Sequence, residues 1–503
     1  MAAMLALCWS LASAATFIVS NASDPGAASC TPGACSLRAA VLAANAAAGA
    51  DVIAFDIPGS GVHRIDLTSA LPALEPPLTI DGYTQGGSAP NTLAASVGGN
   101  NAQIRIHLSG SAGGVSVGLG AFGGPILVRG LAISGFSSSI LDLTASSAST
   151  EEYTIEGCFL GLAPDGSLGS PIPLDAIRAS ALTRIGGLSP SARNVVVGAT
   201  RYLVSAANAR IVVEGNLLGV LPAGNALPPL GARPDTLIQM LSGSSPVPAV
   251  FQDHQIGGAA ADARNVIGGA RSVGINMACI NQAATCFDGA VIRGNAIGVD
   301  ASGTLPLPIG SPAGGSGAVQ VFLPFAGQRV SIGGTGATDG NLIAYSEGWG
   351  VQIDSRNDAR VAVLSNLIRN QRGLPIQYAE SAGTLLQNDA GDPDTGSNRL
   401  QNWPQLLSVV QTVGSTEIRY RVDSTAANSS YPLRVELYAS FGHGADVLVA
   451  SDTIGLADAQ TVRTVTLPFM LADAVVATAT DADGRTSQFS PPFPDQMFAN
   501  GYE

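Results

Sequence analysis

The sequence predicts an all-β chain wound as a solenoid, and three observations predict it. Glycine supplies 61 of the 503 residues while charged residues reach only 12%, against about 25% in ordinary globular chains. Short β-branched runs recur between glycines and asparagines with almost no helical spacing, which is strand-like patterning. The middle of the chain also repeats itself, as stacked architectures do. With 46% hydrophobic residues the chain can bury a large core, which excludes disorder through low hydropathy.

Two frames alternate in the repeat. The first reads Glu156-Gly157-Cys158-Phe159-Leu160-Gly161, Glu214-Gly215-Asn216-Leu217-Leu218-Gly219 and Arg293-Gly294-Asn295-Ala296-Ile297-Gly298. Each copy reaches a further glycine, at Gly166, Gly224 and Gly303, and then a stretch containing proline. The second frame reads Ile185-Gly186-Gly187, Ile256-Gly257-Gly258 and Ile332-Gly333-Gly334, leading to Asn194, Asn265 and Asn341, each followed by two apolar residues. The period of roughly 75 residues divides into three coils of roughly 25, the size of one solenoid repeat. Glycine and asparagine tolerate the left-handed backbone of tight turns, and asparagines stacked in successive coils can hydrogen-bond as a ladder. Cys158 falls in the slot held elsewhere by Asn216, Asn295 and Asn366, so it reads as a small buried turn residue and not as a reactive thiol.

At the N-terminus, Met1 to Ala15 is apolar and ends in Ala12-Ser13-Ala14. It is too short to span a bilayer and reads as a secretory signal. Removing it leaves Cys30, Cys35, Cys158, Cys279 and Cys286. Export to an oxidising compartment predicts short-range disulfides Cys30–Cys35 and Cys279–Cys286, with Cys158 left over. The histidines His63, His107, His254 and His443 are scattered, which sets zinc aside.

Three further stretches resemble a family of exported bacterial right-handed parallel β-helix proteins. Cys35-Ser36-Leu37-Arg38-Ala39-Ala40 is similar to that family's Cys-Ser-Leu-Arg-Glu-Ala signature, with Ala39 in place of Glu. Ser36 is expected to cap a helix whose apolar face is Leu37, Ala40, Val41 and Ala44, and the missing Glu removes half of a capping box. A solenoid needs its first coil shielded, and the resemblance makes this helix the shield. Ile80-Asp81-Gly82-Tyr83-Thr84-Gln85 resembles the family's Ile-Asp-Gly-x-Thr-Gln segment. Asn388 to Pro404, with Asp389, Asp392, Asp394, Gly396, Leu400, Gln401, Asn402 and Trp403, resembles the stretch that closes the solenoid. The family is largely uncharacterised, so the resemblance implies a fold and a secreted location without a reaction.

The expected layout is a signal peptide over 1–15, an N-terminal cap of strand plus helix over 16–50 and a right-handed parallel β-helix over 51–385. An acidic linker over 386–405, a small Ig-like β-sandwich over 406–493 and a tail over 494–503 follow. The sandwich is read from Leu433, Val435 and Leu437 alternating with Arg434, Glu436 and Tyr438, and from strand-like runs at Val447–Ala450, Thr461–Leu467 and Val475–Thr480. The tail Phe498-Ala499-Asn500-Gly501-Tyr502-Glu503 resembles short terminal tails of exported proteobacterial proteins.

Composition removes whole classes of function. The chain has no lysine, which excludes Schiff-base and P-loop chemistry. A net charge of -13 without a basic stripe argues against nucleic acid. No later segment is long and apolar enough for a membrane span. Glycoside hydrolysis needs two carboxylates flanking the bond. Glu151 and Glu152 are neighbours before a strand and point to opposite faces, while Asp288, Asp300, Asp354 and Asp358 stand alone. Elimination needs a base beside a cation, and Arg293, Arg329, Arg356, Arg360 and Arg369 are the candidates. Gly442-His443-Gly444 resembles a tripeptide of pectin-cleaving hydrolases but falls in the sandwich. Asp389, Asp392 and Asp394 are candidate metal ligands for calcium, a hard cation that takes oxygen ligands, though their spacing is not that of an EF-hand. No other cofactor is implied, and no pattern speaks to oligomeric state. The expected function is a secreted or cell-surface protein with a non-catalytic structural, adhesive or glycan-binding role. Its expected partner is an extracellular glycan or the cell surface. The competing expectation is a polysaccharide lyase or glycoside hydrolase acting on an extended acidic polysaccharide.

Overall fold

The computed structural model describes residues 14–26, 29–144, 152–242, 252–280, 286–311, 316–442 and 444–493. Most of the expected signal segment, Glu151, His443 and the expected tail lie outside the described residues. Within them, three parallel sheets of 11, 10 and 9 strands stack along the chain. Successive strands pass from the first sheet to the second to the third and back, which makes a right-handed parallel β-helix, the hand that parallel crossovers favour.

Alternation along each strand builds the core. In the first sheet Ile155, Ile185, Val213, Ile256, Ile292, Ile332 and Val363 stand in register. In the third, Ile177, Val204, Ile238, Ile275, Val319, Val351 and Ile376 do the same. All are buried, and β-branched side chains suit such pleated, stacked surfaces.

The turn between the first and second sheets explains the repeat frames. Asn194, Asn216, Asn265, Asn295, Asn341 and Asn366 form a buried ladder in which each Nδ2 donates to the next Oδ1 at 2.8–3.1 Å. Each Nδ2 also donates to a backbone carbonyl of the coil before, as from Asn265 to Val213 at 2.8 Å. The asparagine is thereby saturated, and no other side chain of that size offers both a donor and an acceptor on one flat group. Gly257 has φ +73°, and a Cβ there would lie 2.2 Å from the carbonyl oxygen of Arg293; this accounts for the glycine beside the ladder. Cys158 is the first rung: its N–H donates to Asn194 Oδ1 at 2.9 Å, and burial pushes its thiol up to about 12.

The N-terminal cap is the strand Thr16–Val19, paired with Asp51–Phe55, and the helix Leu37–Ala46. Ser36 Oγ accepts from the Ala39 N–H at 3.3 Å, and Leu37, Ala40, Val41 and Ala44 are buried. Arg38, also buried, grips Asp24 at 2.7 and 2.8 Å and donates to the carbonyls of Ser69 and Ala70. The disulfides Cys30–Cys35 and Cys279–Cys286 are both formed. The motif residues Thr84 and Gln85 pair with the first coil's backbone, accepting from Phe55 N and Ile57 N at 2.7 and 2.8 Å.

At the other end lies a small sandwich of two three-stranded antiparallel sheets. One holds Gln405–Thr412, Ser415–Arg421 and Arg463–Leu467; the other holds Leu433–Ser440, Val447–Ile454 and Ala474–Thr480. The hairpin of Gln405–Thr412 and Ser415–Arg421 adds two strands to those singled out in the sequence. The sandwich occupies the open edge of the last coil: Val363 N donates to Thr486 Oγ1 and Ser365 N to Glu436 Oε2, both at 2.8 Å, while Ile368 bridges to Ala445. An exposed row of edge amides would otherwise invite pairing with another chain.

Candidate functional site: the third face

The three sheets present outer faces of different chemistry. On the first, arginines and carboxylates neutralise one another. Arg129 pairs with Asp81 at 2.6 Å and Glu156 at 3.6 Å, and Arg184 with Glu152 at 2.6 Å and Glu214 at 2.8 Å.

The second face is covered. Its outward column of Ala132, Phe159, Val195, Leu217 and Val266 is apolar, in register and buried. Hairpin turns fold over it, closed by Gly166 N to Ala163 O, Gly224 N to Leu221 O and Gly303 N to Asp300 O at 2.8–3.0 Å. Residues 87–104 then run across several coils as a strap. Buried Arg193 holds the strap, donating to the carbonyls of Leu93 at 2.9 Å and Gly99 at 2.8 Å, and to Gly215 O at 3.0 Å. Asn91 donates to Pro190 O, and Ala95 N to Asp262 Oδ1, both at 2.9 Å.

The third face is neither ion-paired along its length nor covered by the strap. Register places Asp142, Arg178, Ser205, Gln239, Asn276, Gln320, Gln352 and Gln377 in one outward column. Arg178 pairs with Asp142 at 3.1 Å and Asp175 at 3.8 Å, so from Ser205 onward the column is neutral. Asn276 Nδ2 donates to Gln239 Oε1 at 3.0 Å, and Gln320 Nε2 to Gln352 Oε1 at 2.7 Å. Beside these amides a second column brings Ala278, Phe322 and Asp354 into register. Asn276, Ala278, Gln320, Phe322, Gln352 and Asp354 line a groove of about 250 Å3. That is below the ~300–1,000 Å3 of an enclosed small-molecule pocket, so a ligand would lie across the groove and not inside it. Among the described residues Asp354 is its one carboxylate, held in two-point contact by Arg356 at 2.8 and 3.1 Å.

The acids and arginines singled out in the sequence are mostly committed elsewhere. Asp288 accepts from Arg329 N at 3.1 Å and lies 3.5 Å from its guanidinium. Asp300 closes a turn through Thr304 N and Leu305 N at 3.0 Å. Asp358 is held by Arg399 at 2.6 Å. Arg293 reaches Asp339 at 3.5 Å, Arg360 reaches Asp483 at 3.4 Å, and Arg369 donates to Gly303 O at 2.8 Å.

The candidate calcium ligands lie at the seam between solenoid and sandwich, where Asp392 and Asp394 line a pocket of about 590 Å3. Asp392 is spoken for: its carboxylate accepts from Gln401 Nε2 at 2.6 Å, Ser424 Oγ at 2.7 Å, Ser429 Oγ at 3.1 Å and Asn402 N at 3.1 Å. Burial outweighs these bonds and pushes its carboxyl up to about 6. Asp389 is engaged by Asn402 Nδ2 through its carbonyl at 2.9 Å. Burial, and then the nearby charge of Asp389, raise the Asp394 carboxyl. Among the described residues no three His, Cys, Asp or Glu side chains are grouped to hold a metal ion. The donor set therefore fits a hydrogen-bonded clasp better than a calcium site.

No protein-family model and no curated protein matches the chain. Among solved structures, the Dettilon tailspike protein is similar at 12% identity, over 94% of this chain and 89% of its own, with a TM-score of 0.24. Full-length tailspike protein 2 from Escherichia coli O157:H7 bacteriophage CAB120 is similar at 10% identity, over 92% of this chain and 66% of its own, with a TM-score of 0.24. Likenesses this distant carry no functional argument, and the fold stands on the chain's own sheets.

The amide column escaped the sequence reading. Its signal is an amide flanked by aliphatic or other large apolar residues in five strands: Ile238-Gln239-Met240, Ile275-Asn276-Met277, Val319-Gln320-Val321, Val351-Gln352-Ile353 and Ile376-Gln377-Tyr378.

Proposed function

We propose that this is an exported protein that binds an extended glycan on its third face without cleaving it. One observation carries the reading: among the described residues the third face bears a column of neutral amides, partly exposed from Asn276 to Gln377, and the groove beside it has a single carboxylate. Hydroxyl groups are both donors and acceptors, and so are primary amides, which makes such a column suited to sugars. Hydrolysis would call for a second carboxylate across the bond, and the groove's lining supplies none. The two disulfides and the resemblance of Cys35 to Ala40 support a location outside the cytoplasm. No described helix is long and apolar enough to cross a membrane.

The test screens the purified full chain against immobilised glycans, recording retention together with new reducing or unsaturated ends. Retention without new ends is expected. New ends would replace the binding reading with an enzymatic one, and no retention on any glycan would remove both.

A further inference from the structure

The third face also indicates which class of glycan it takes. Resting on the binding reading above, we infer that the ligand is a neutral, linear polysaccharide lying along the solenoid axis, with about one sugar unit per coil. Three observations lead there.

The first is charge. The groove's lining contains no cation, the chain has no lysine, and its net charge is -13. Arg178, within the column, and Arg356, beside the groove's Asp354, are already paired with Asp142 and Asp354. A uronate or sulfated polymer brought to this face would meet an acidic protein whose arginines beside the column are already paired, and like charges brought together oppose binding. A neutral polymer meets no such barrier.

The second is spacing. The rungs Ser205, Gln239, Asn276, Gln320, Gln352 and Gln377 belong to adjacent strands of one parallel sheet. Adjacent strands lie about 4.7–4.9 Å apart, close to the length of one pyranose unit. A linear polymer aligned with the axis can therefore set about one sugar unit against each successive amide; a branched one would lose register after a coil or two. Gln239 is buried, whereas Asn276, Gln320, Gln352 and Gln377 are partly exposed. Each of these four amides has two N–H donors and two acceptor positions, and a ladder bond such as Gln320 to Gln352 uses only one of these on each side while fixing the amide's orientation.

The third is shape. Phe322 stands in register between Ala278 and Asp354. The small Ala278 leaves room over the adjacent coil, and the Phe322 ring offers an apolar wall against which the C–H face of a sugar can pack. Asp354, fixed by Arg356, adds an oriented acceptor at the far side.

The experiment is calorimetric titration of the full chain with β-1,4-linked gluco-, manno- and xylo-oligosaccharides of increasing length, and with oligogalacturonates of matched length. Affinity for at least one neutral series is expected to rise up to about four units, the span of the partly exposed amides Asn276, Gln320, Gln352 and Gln377 at one per strand, and then to level off. It should change little with salt, while the oligogalacturonates bind at least tenfold more weakly. Phe322→Ala is expected to weaken neutral binding about tenfold, and Gln320→Arg, which adds a cation, to narrow the gap to the uronates. Oligogalacturonate binding equal to or tighter than the neutral series would overturn the inference and leave the glycan reading intact. Neutral binding that ignores Phe322→Ala, with a uronate gap that ignores Gln320→Arg, would overturn the placement on this face. Failure of every oligosaccharide would instead remove the glycan reading itself.

Discussion

The second and third faces are made from the same coils yet are treated oppositely. At one outward position the second face repeats Ala132, Phe159, Val195, Leu217 and Val266, and the chain folds a strap and three hairpin turns over them. At the corresponding position the third face repeats Gln239, Asn276, Gln320, Gln352 and Gln377 and the strap leaves it open. Apolar surface drives its own burial at about 25 cal/mol per Å2. A column of amides gains little by being covered, and from Asn276 to Gln377 it stays partly exposed. Stability thus rests on the second face, and the proposed recognition on the third.

The largest expected effect comes from exchanging phenylalanines for alanine. Phe159→Ala removes a side chain only 3% exposed and should cost about 3–5 kcal/mol in denaturant unfolding. Phe322→Ala, half-buried, should cost ~1 kcal/mol while weakening glycan binding. Equal stability losses would break the distinction between the faces.

Removing the strap's anchor should come next. Arg193→Ala orphans the carbonyls of Leu93, Gly99 and Gly215, at about 1–3 kcal/mol for each that water cannot reach. We expect a loss of about 2–4 kcal/mol and new proteolytic cuts within 87–104, with third-face binding unchanged. Loss of binding in step with stability would show that the two faces are not independent.

A smaller effect is expected at the seam. The Asp392 carboxyl is raised by burial to about 6 from 3.8, so the fold favours its protonated form. Its contribution is full below pH ~4 and is lost as pH rises through 6, a swing on the order of 2–3 kcal/mol at 1.36 kcal/mol per unit. Asp392→Asn, neutral at every pH, should therefore gain in Tm relative to wild type as pH rises across that window while glycan binding stays level. A flat difference would mean the burial is relieved by water.

Much of this scaffold was legible because it is periodic. The ladder asparagines and their glycines recur at matched offsets, since identical turns must stack, and Cys158 could be placed by its slot alone. The amide column could not be read that way: its rungs are separated by loops of unequal length, 37 residues from Gln239 to Asn276 but 32 from Gln320 to Gln352. The strap is equally silent in sequence, because its Gly, Ala and Asn residues serve contacts with coils as distant as Asp262. At the seam, the spacing of Asp389, Asp392 and Asp394 suggested an oxygen-rich ion site. The hydroxyls that occupy Asp392 come from Ser424 and Ser429, beyond the reach of any local pattern.

The most direct test of the third face is hydrogen–deuterium exchange of the full chain with and without a saturating neutral oligosaccharide from the binding series. Protection is predicted in Val273–Cys279, Gly317–Leu323 and Trp349–Ser355 together, one strand from each of three successive coils, and not in 87–104. Protection confined to the strap, the first face or the sandwich, with those three strands unchanged, would contradict the account.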